Sequence, residues 1–162
     1  MKHSWKPGKE KIIYGNTIFR HQGENNNGGM LNVGYEKYSQ ARAKIEKDAD
    51  SEMWTPEKKQ QMLESADKFL AGGVIHIYLT RLTIDAANAQ WFTVIVKDST
   101  DTNEIYRKEL KRKTPNIPSS GTDYWWNNMV TPIPVKISGK IYIYIIDKLG
   151  QENNKFKFEV NL

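Results

Sequence analysis

The stretch KIYIYIIDK, residues 140–148, alternates isoleucine with tyrosine before it ends in Ile-Ile-Asp-Lys. Successive side chains of a β-strand point to opposite faces of a sheet, so this period of two predicts a strand. β-Branched and aromatic residues are also the types that strands favour. We therefore expect the strongest strand of the chain here, with Ile141, Ile143 and Ile145 sharing one face.

The same period of two runs from Val74 to the C-terminus. The run PIPVKI is predicted to be an edge strand, because proline cannot donate a ladder hydrogen bond. Strands at this spacing, with no helix between them, indicate an antiparallel β-sandwich over residues 73–162. The predicted strands are VIHIYLTRLTI, WFTVIVKD, EIYRKEL, PIPVKI, KIYIYIIDK and KFKFEV.

Residues 34–72 are predicted to form a helical hairpin. The second helix has clear start signals, since Thr55 can cap it, Pro56 fits the first helical position and Glu57 lies in the first turn. Gly72-Gly73 is expected to end it. The narrow apolar stripes fit a helix pair packed on a sheet or on a partner. They comprise Tyr35, Tyr38, Ala41, Ile45 and Ala49, and then Met62, Ala66, Phe69 and Leu70.

Residues 1–33 are predicted to be an irregular arm. KIIY and TIFR flank Gly15-Asn16 and predict a short hairpin, and HQGENNNGGM predicts a flexible loop. The predicted fold class is therefore α+β, mainly β. An N-terminal arm (1–33) and a helical hairpin (34–72) precede the antiparallel β-sandwich (73–162).

Composition limits the class of protein. The 162 residues include five Trp, eight Tyr and five Phe, which is enough aromatic surface for a core, and the net charge is +5. The chain has no cysteine, which excludes disulfides, thiol catalysis and cysteine zinc sites. It shows neither a signal-peptide pattern nor an 18-residue apolar run. We therefore expect a cytoplasmic protein, or an exported one whose leader has been removed.

The aromatic stretch TDYWWNNMVTPIPV, residues 122–135, is the first candidate binding site. Neighbouring residues of a strand face opposite ways, so Trp125 and Trp126 cannot both enter one core. One is expected to be buried and the other to need cover from the helical hairpin or the arm. Without that cover, Tyr124 and the outer tryptophan are the best binding candidates in the chain.

The segment YRKELKRKT is the second candidate, as a contact for phosphate, acidic lipid or nucleic acid. Strand alternation is predicted to place Arg107 and Lys111 on one face, and Lys108 and Arg112 on the other. A solvated edge strand protected by lysine is the favoured interpretation, so nucleic acid and membrane partners are disfavoured. Lys113 completes this basic set.

Metal and catalytic chemistry are not expected. The loop KDSTDTNE gathers Asp98, Asp101, Asn103 and Glu104, but these are ordinary turn residues and lack the EF-hand pattern. The three histidines, at positions 3, 21 and 76, are far apart in the chain. No serine lies in a Gly-x-Ser-x-Gly motif. We therefore predict no enzyme activity, no cofactor and no metal site.

Three segments resemble a C2-like β-sandwich in order and spacing. LTIDAANAQ (82–90) resembles the family's opening pattern, WWNN (125–128) its Trp-Asn pair, and IYIYIIDK its strand that ends in Asp, here Asp147. The family's calcium loops need several aspartates, but Asp147 is followed by Lys-Leu-Gly and the first loop holds only Asp85. The resemblance therefore implies a calcium-independent relative.

The function that these patterns favour is a non-catalytic interaction or assembly module, with a protein partner or a homo-oligomer. The first alternative is a carbohydrate- or cell-surface-binding sandwich that uses Tyr124 and one of the two tryptophans. The second is a binder of anionic membranes or nucleic acid through basic residues 107–113.

Overall fold

A computed structural model describes residues 11–13, 16–22, 30–118, 120–121, 123–149 and 154–162. Within these ranges the chain forms nine strands, two α-helices and a short 3-10 helix, which confirms a mainly-β α+β protein. The helices are α1 (Tyr38–Ser51) and α2 (Pro56–Phe69), and the 3-10 turn is Ala89–Trp91. The strands are β1 (Lys11–Ile13), β2 (Asn16–Gln22), β3 (Met30–Glu36), β4 (Val74–Arg81), β5 (Phe92–Lys97), β6 (Glu104–Glu109), β7 (Trp125–Pro132), β8 (Lys140–Asp147) and β9 (Asn154–Asn161).

The strands form two antiparallel sheets. Sheet A has the order β1-β2-β3-β4-β7, and sheet B has the order β6-β5-β8-β9. The opening stretch KIYIYIIDK is β8, which pairs with β5 on one side and β9 on the other. Its residues Ile141, Ile143 and Ile145 are fully buried, as the alternation predicted.

Buried side chains from both sheets form one apolar cluster. Alternate residues of each strand enter it, because a strand that has one face on the core buries every second side chain. Its strand residues are Leu31, Val33, Tyr35, Ile75, Ile77, Leu79, Phe92, Val94, Val96, Met129, Ile141, Ile143, Ile145, Phe156, Phe158 and Val160.

The N-terminal region contributes strands to sheet A. Strands β1 and β2 pair antiparallel, with Ile13 opposite Asn16, as the predicted hairpin requires. Strand β3, which was not predicted, starts at Met30 and pairs with both β2 and β4. Its sequence LNVGYE does alternate, but the helical spacing of Tyr35 with Tyr38 masked that signal. The predicted flexible loop lies mainly in residues 23–29, outside the described residues.

The two helices contact each other far more than they contact any strand. The start of α2 is as predicted: the amide of Lys58 donates to the Thr55 hydroxyl at 3.2 Å, and Pro56 opens the helix. The predicted stripe of α2 is wrong in part, because Met62 and Phe69 are exposed. The two helices bury few side chains, and most of these are small: Ala41, Ala49, Leu63 and Ala66.

The base of the hairpin is tied to sheet A. The buried hydroxyl of Tyr35 donates to the carbonyl of Gly72 at 2.7 Å. The amide of Gly72 donates to the carbonyl of Ile133 at 2.8 Å, and the amide of Ile133 donates to Gly73 at 2.9 Å. Gly73 has a φ of 89°, a conformation that favours glycine.

The run PIPVKI is not a strand, which corrects the prediction. Next to β4 the edge of sheet A is instead β7, which ends at Pro132. This run does not continue the ladder, because position 134 is a second proline and Ile133 bonds to the base of the hairpin. Strand β4 likewise stops at Arg81, and the chain then turns from Leu82 to Ala87.

Candidate binding surface

The two adjacent tryptophans lie on opposite faces of sheet A, as predicted. Trp125 lies opposite Arg81 in the β4–β7 ladder and packs against the apolar cluster. Trp126 lies opposite Thr80 on the outer face, half-buried. Its ring contacts Tyr78, with the centroids 6.0 Å apart and the planes tilted by 31°. Trp125 is therefore the tryptophan on the core side, where it is half-buried rather than fully buried, and Trp126 belongs to the outer face.

Cover of Trp126 by the helical hairpin stays a prediction, and the helices make at most slight contact with the strands. The hairpin joins β4 at Val74, and Trp126 lies opposite Thr80, near the other end of the same strand. The ring contact of Trp126 in the described residues is with Tyr78. Residues 1–10, the other predicted cover, lie outside the described residues.

The segment after β6 closes the outer edge of β7. Asn116 exchanges two backbone hydrogen bonds with Trp126, at 2.7 and 3.2 Å. The Lys113 ammonium donates to the side-chain oxygen of Asn128 at 2.9 Å, and it also donates to the Asn128 carbonyl. Pro132, at the end of the strand, has no amide hydrogen to donate. An added strand therefore finds few free ladder groups on β7.

The outer face around Trp126 combines aromatic, amide and aliphatic groups. We name Tyr78, Trp126, Asn128 and Val130 the aromatic surface. Val130 is 57% exposed, which is high for a valine within a strand. Tyr124, the other predicted aromatic, is exposed just before β7. This arrangement offers stacking, one amide hydrogen-bonding group and apolar contact, with no strongly charged group among the four.

His76 lies on the same face of β4, where its ring nitrogen is 2.9 Å from a carboxylate oxygen of Glu36. The histidine is thus held by a hydrogen bond to a neighbouring strand. The pair borders the aromatic surface because His76 lies opposite Val130 in the ladder.

The basic segment does not form one surface. Strand β6 ends at Glu109, so the predicted strand alternation of Lys111 and Arg112 is wrong, and both are exposed in the irregular segment that follows. Arg107 makes two short bonds to Glu104, at 2.7 and 2.9 Å, which raise the pKa of the arginine. Lys108 lies half-buried on the strand. The five predicted cations are thus divided between a paired strand and the connection to β7.

The acidic loop between β5 and β6 is held by internal hydrogen bonds. Asp98 accepts bonds from Thr100 and Asn103, which lower its pKa to about 2. Asp101 accepts a bond from the Tyr144 hydroxyl at 2.6 Å and one from the Lys157 ammonium at 2.5 Å. Across the described residues, no group of three or more acidic, histidine or cysteine side chains is arranged to hold a metal ion.

A buried ion pair links the two sheets. The guanidinium of Arg81 in β4 donates to Asp147 in β8 at 3.1 Å, and their side chains are 0% and 2% exposed. Burial lowers the pKa of Arg81, and the carboxylate opposes that effect. Sequence reasoning missed Arg81, although VIHIYLTR places it on the same face as Ile75 and Leu79. A charged residue on a core face indicates a buried partner.

Comparison of the chain with family models, with curated proteins and with solved structures finds no significant match. Neither α1 nor α2, the helices of the described residues, is long and apolar enough to cross a membrane.

Proposed function

We propose that this chain is a non-catalytic interaction module that binds a protein partner through the aromatic surface. The observation that carries the proposal is the position of Trp126. This residue and Tyr78 form an aromatic pair on the outer face of a sheet, next to the exposed Val130. Tryptophan and tyrosine are enriched at protein interfaces and dominate their binding energy.

At the level of fold, the proposal is a calcium-independent, C2-like β-sandwich. Support comes from the single apolar cluster to which sheets A and B both contribute. Asp147, the aspartate that ends the C2-like strand, bonds to Arg81 in the core. A calcium ion needs six to eight oxygen ligands, and a carboxylate committed to a buried arginine is poorly placed to supply one.

The anion-binding alternative has less support. Arg107 is paired with Glu104, and Lys113 is bonded to Asn128. At these two residues a phosphate or lipid headgroup would have to compete with the internal acceptors, which leaves the exposed Lys111 and Arg112 as the remaining contacts. Binding driven by charge would also fall steeply as salt rises, which an apolar contact through Trp126 would not.

Carbohydrate binding is the second candidate. The same observation favours it, because an aromatic ring beside the amide of Asn128 can stack on a sugar ring and bond to its hydroxyls. The two candidates share Trp126 and differ in the ligand class, so one set of variants tests both.

The test is capture by the full chain from an extract of its own cells, followed by affinity measurement with the purified partner. Trp126→Ala is expected to weaken binding roughly 30-fold or more, the size of effect seen at interface hot spots. Val130→Lys, at an exposed position of the same surface, is expected to weaken it as well without disturbing the fold.

Trp54→Ala is the matched control, since Trp54 lies in the loop between the helices, far from β7 in the chain, and has a lysine ammonium 4.2 Å from its ring centroid. Binding that survives both Trp126→Ala and Val130→Lys contradicts the proposed site. A tryptophan fluorescence change on titration with a glycan panel, lost in Trp126→Ala, would replace the protein partner with a carbohydrate.

A further inference from the structure

Strand β9 presents a regular row of backbone groups on its outer edge. It is the last strand of sheet B and pairs with β8 over its whole length without a register shift. The amide of Lys148 bonds to Trp91 and that of Leu162 bonds to Gly139, which fixes the phase of the ladder. The backbone groups that point away from β8 therefore belong to Lys155, Lys157, Glu159 and Asn161.

The other edges are shorter or closed in the part of the chain that the structure describes. Strand β7 is bonded along its edge to Asn116 and Lys113. Strand β6 has a register irregularity where it pairs with β5 near Val96, and β1 spans three residues. Bulges and short strands protect a sheet edge from pairing, and a long regular edge invites it. Strand β9, with eight residues, is the longest regular edge described.

The side chains of β9 are complementary to a second copy in one register. Consider two antiparallel β9 strands related by a two-fold axis at Phe158. Lys157 of each copy then lies opposite Glu159 of the other, and Lys155 lies opposite Asn161. All of these have outward backbone groups, so each pair can exchange two ladder hydrogen bonds. Phe156 meets Val160 on the core side.

The neighbouring registers are disfavoured by charge. A two-fold axis at Lys157 would place the two Lys157 side chains opposite each other, between two pairs of Lys155 with Glu159, so it adds a like-charge pair that the register centred on Phe158 does not have. An axis at Glu159 would do the same for the two Glu159 side chains. Like charges directly opposite in a ladder are destabilising and opposite charges are stabilising. The sequence KFKFEV thus selects the register centred on Phe158.

Charges within each molecule extend this complementarity. Lys157 is bonded to Asp101 at 2.5 Å, and Glu159 lies 3.4 Å from the Lys140 ammonium. In the register centred on Phe158 these two pairs join into a row of alternating sign, Asp101, Lys157, Glu159 and Lys140, with two members from each copy. Networks of charges contribute more than isolated surface pairs.

We propose that the outer edge of β9 pairs with β9 of a second copy, which makes one continuous sheet across a two-fold dimer. This contact lies on sheet B, apart from the aromatic surface on sheet A, and does not depend on the proposed function. A dimer of this kind leaves both copies of the aromatic surface open.

The experiment measures the solution mass of the full chain over a range of concentrations by analytical ultracentrifugation. The unchanged chain is expected to pass from monomer to dimer. Lys157→Glu or Glu159→Lys alone brings like charges together twice in the dimer and is expected to raise the dissociation constant about tenfold or more. An equal mixture of the two variants restores opposite charges at both positions and is expected to form heterodimers.

Lys155→Glu is the matched control, because it makes the same charge change on the same strand opposite Asn161, and its dissociation constant is expected to stay close to that of the unchanged chain. Glu159→Lys keeps the Lys157–Asp101 bond, so the test does not rest on one variant. A chain that is monomeric at every concentration, single variants that dimerise normally, or a mixture no tighter than its components would each overturn the pairing. None of these results bears on capture through Trp126.

Discussion

At the scale of single residues, Arg81 and Asp147 form a buried ion pair between the sheets. Both side chains are closed to solvent, and 66 positions separate them in the chain. Removing two charges from water is costly, and their attraction offsets that cost only while both are present. Asp147 also accepts a bond from the amide of Leu149 at 2.9 Å, which orients the carboxylate.

Single and double substitutions separate the cost of burying the two charges from the attraction between them. Arg81→Met or Asp147→Leu alone leaves an unpaired buried charge and is expected to lower the free energy of unfolding by about 3 to 5 kcal/mol. The double variant leaves no charge and is expected to recover most of that loss or to exceed the unchanged chain. Urea denaturation measures all four proteins. A double variant as unstable as the singles would show that the pair stabilises by geometry that apolar residues cannot replace.

At the scale of elements, the helical hairpin depends on its attachment to the sheet. The helices bury few side chains against each other, and the hydroxyl of Tyr35 in β3 bonds to Gly72 at the end of the hairpin. Burial raises the pKa of Tyr35 to about 12, from the usual value of 10.0. The folded protein therefore holds this proton more tightly than the unfolded chain does.

Because folding raises the pKa of Tyr35, the protein is expected to lose stability at alkaline pH. The contribution of Tyr35 is complete below pH 10 and is lost as the pH rises towards 12, where the buried phenolate must form. A shift of about two pKa units corresponds to about 2 to 3 kcal/mol. The difference in unfolding free energy between the unchanged chain and Tyr35→Phe is therefore expected to narrow over this range. Chemical denaturation at a series of pH values measures it.

Tyr124→Phe is the control for the other tyrosines, because Tyr124 is exposed. It shows how much of any change in base arises from removing a phenol hydroxyl at a position outside the core. If the Tyr35→Phe difference stayed constant, the proton of Tyr35 would not be linked to folding.

At the scale of the whole molecule, the two proposed surfaces are independent, because they lie on different sheets. Trp126→Ala is expected to leave the monomer–dimer equilibrium within about twofold of that of the unchanged chain, as distant sites behave additively. Glu159→Lys is likewise expected to leave partner affinity unchanged. Ultracentrifugation and affinity measurement on both variants test this, and a cross-effect of tenfold would mean that dimer formation and partner binding are coupled.

Local patterns carried the predictions that the structure confirms. The alternation of β8 placed its buried face correctly, and Thr55 and Pro56 marked the start of α2. These signals depend on neighbours within one turn or one pleat. The wrong predictions lie in two places. At Tyr35 a strand pattern and a helix pattern overlap. In the run PIPVKI, Ile133 forms its backbone hydrogen bonds with Gly72 and Gly73.

In the aromatic stretch, the faces of Trp125 and Trp126 are predictable from the sequence only in part. The pleat of a strand requires Trp125 and Trp126 to take opposite faces, and the sequence alone determines that. Which of them meets the core depends on the register of β7 with β4, where Trp125 lies opposite Arg81. Register is set by contacts between segments far apart in the chain.

The periods of 2 and 3.6 in the sequence are sufficient for β5, β6, β8 and β9, for the helical hairpin and for the division of the two tryptophans between faces, but not for β7 or for the end of β4. Only the tertiary structure decided that β3 completes sheet A, that Arg81 meets Asp147, and that β9 forms an edge. Strand order and buried charge pairing arise when distant segments share one core, and no local period encodes which segments those are.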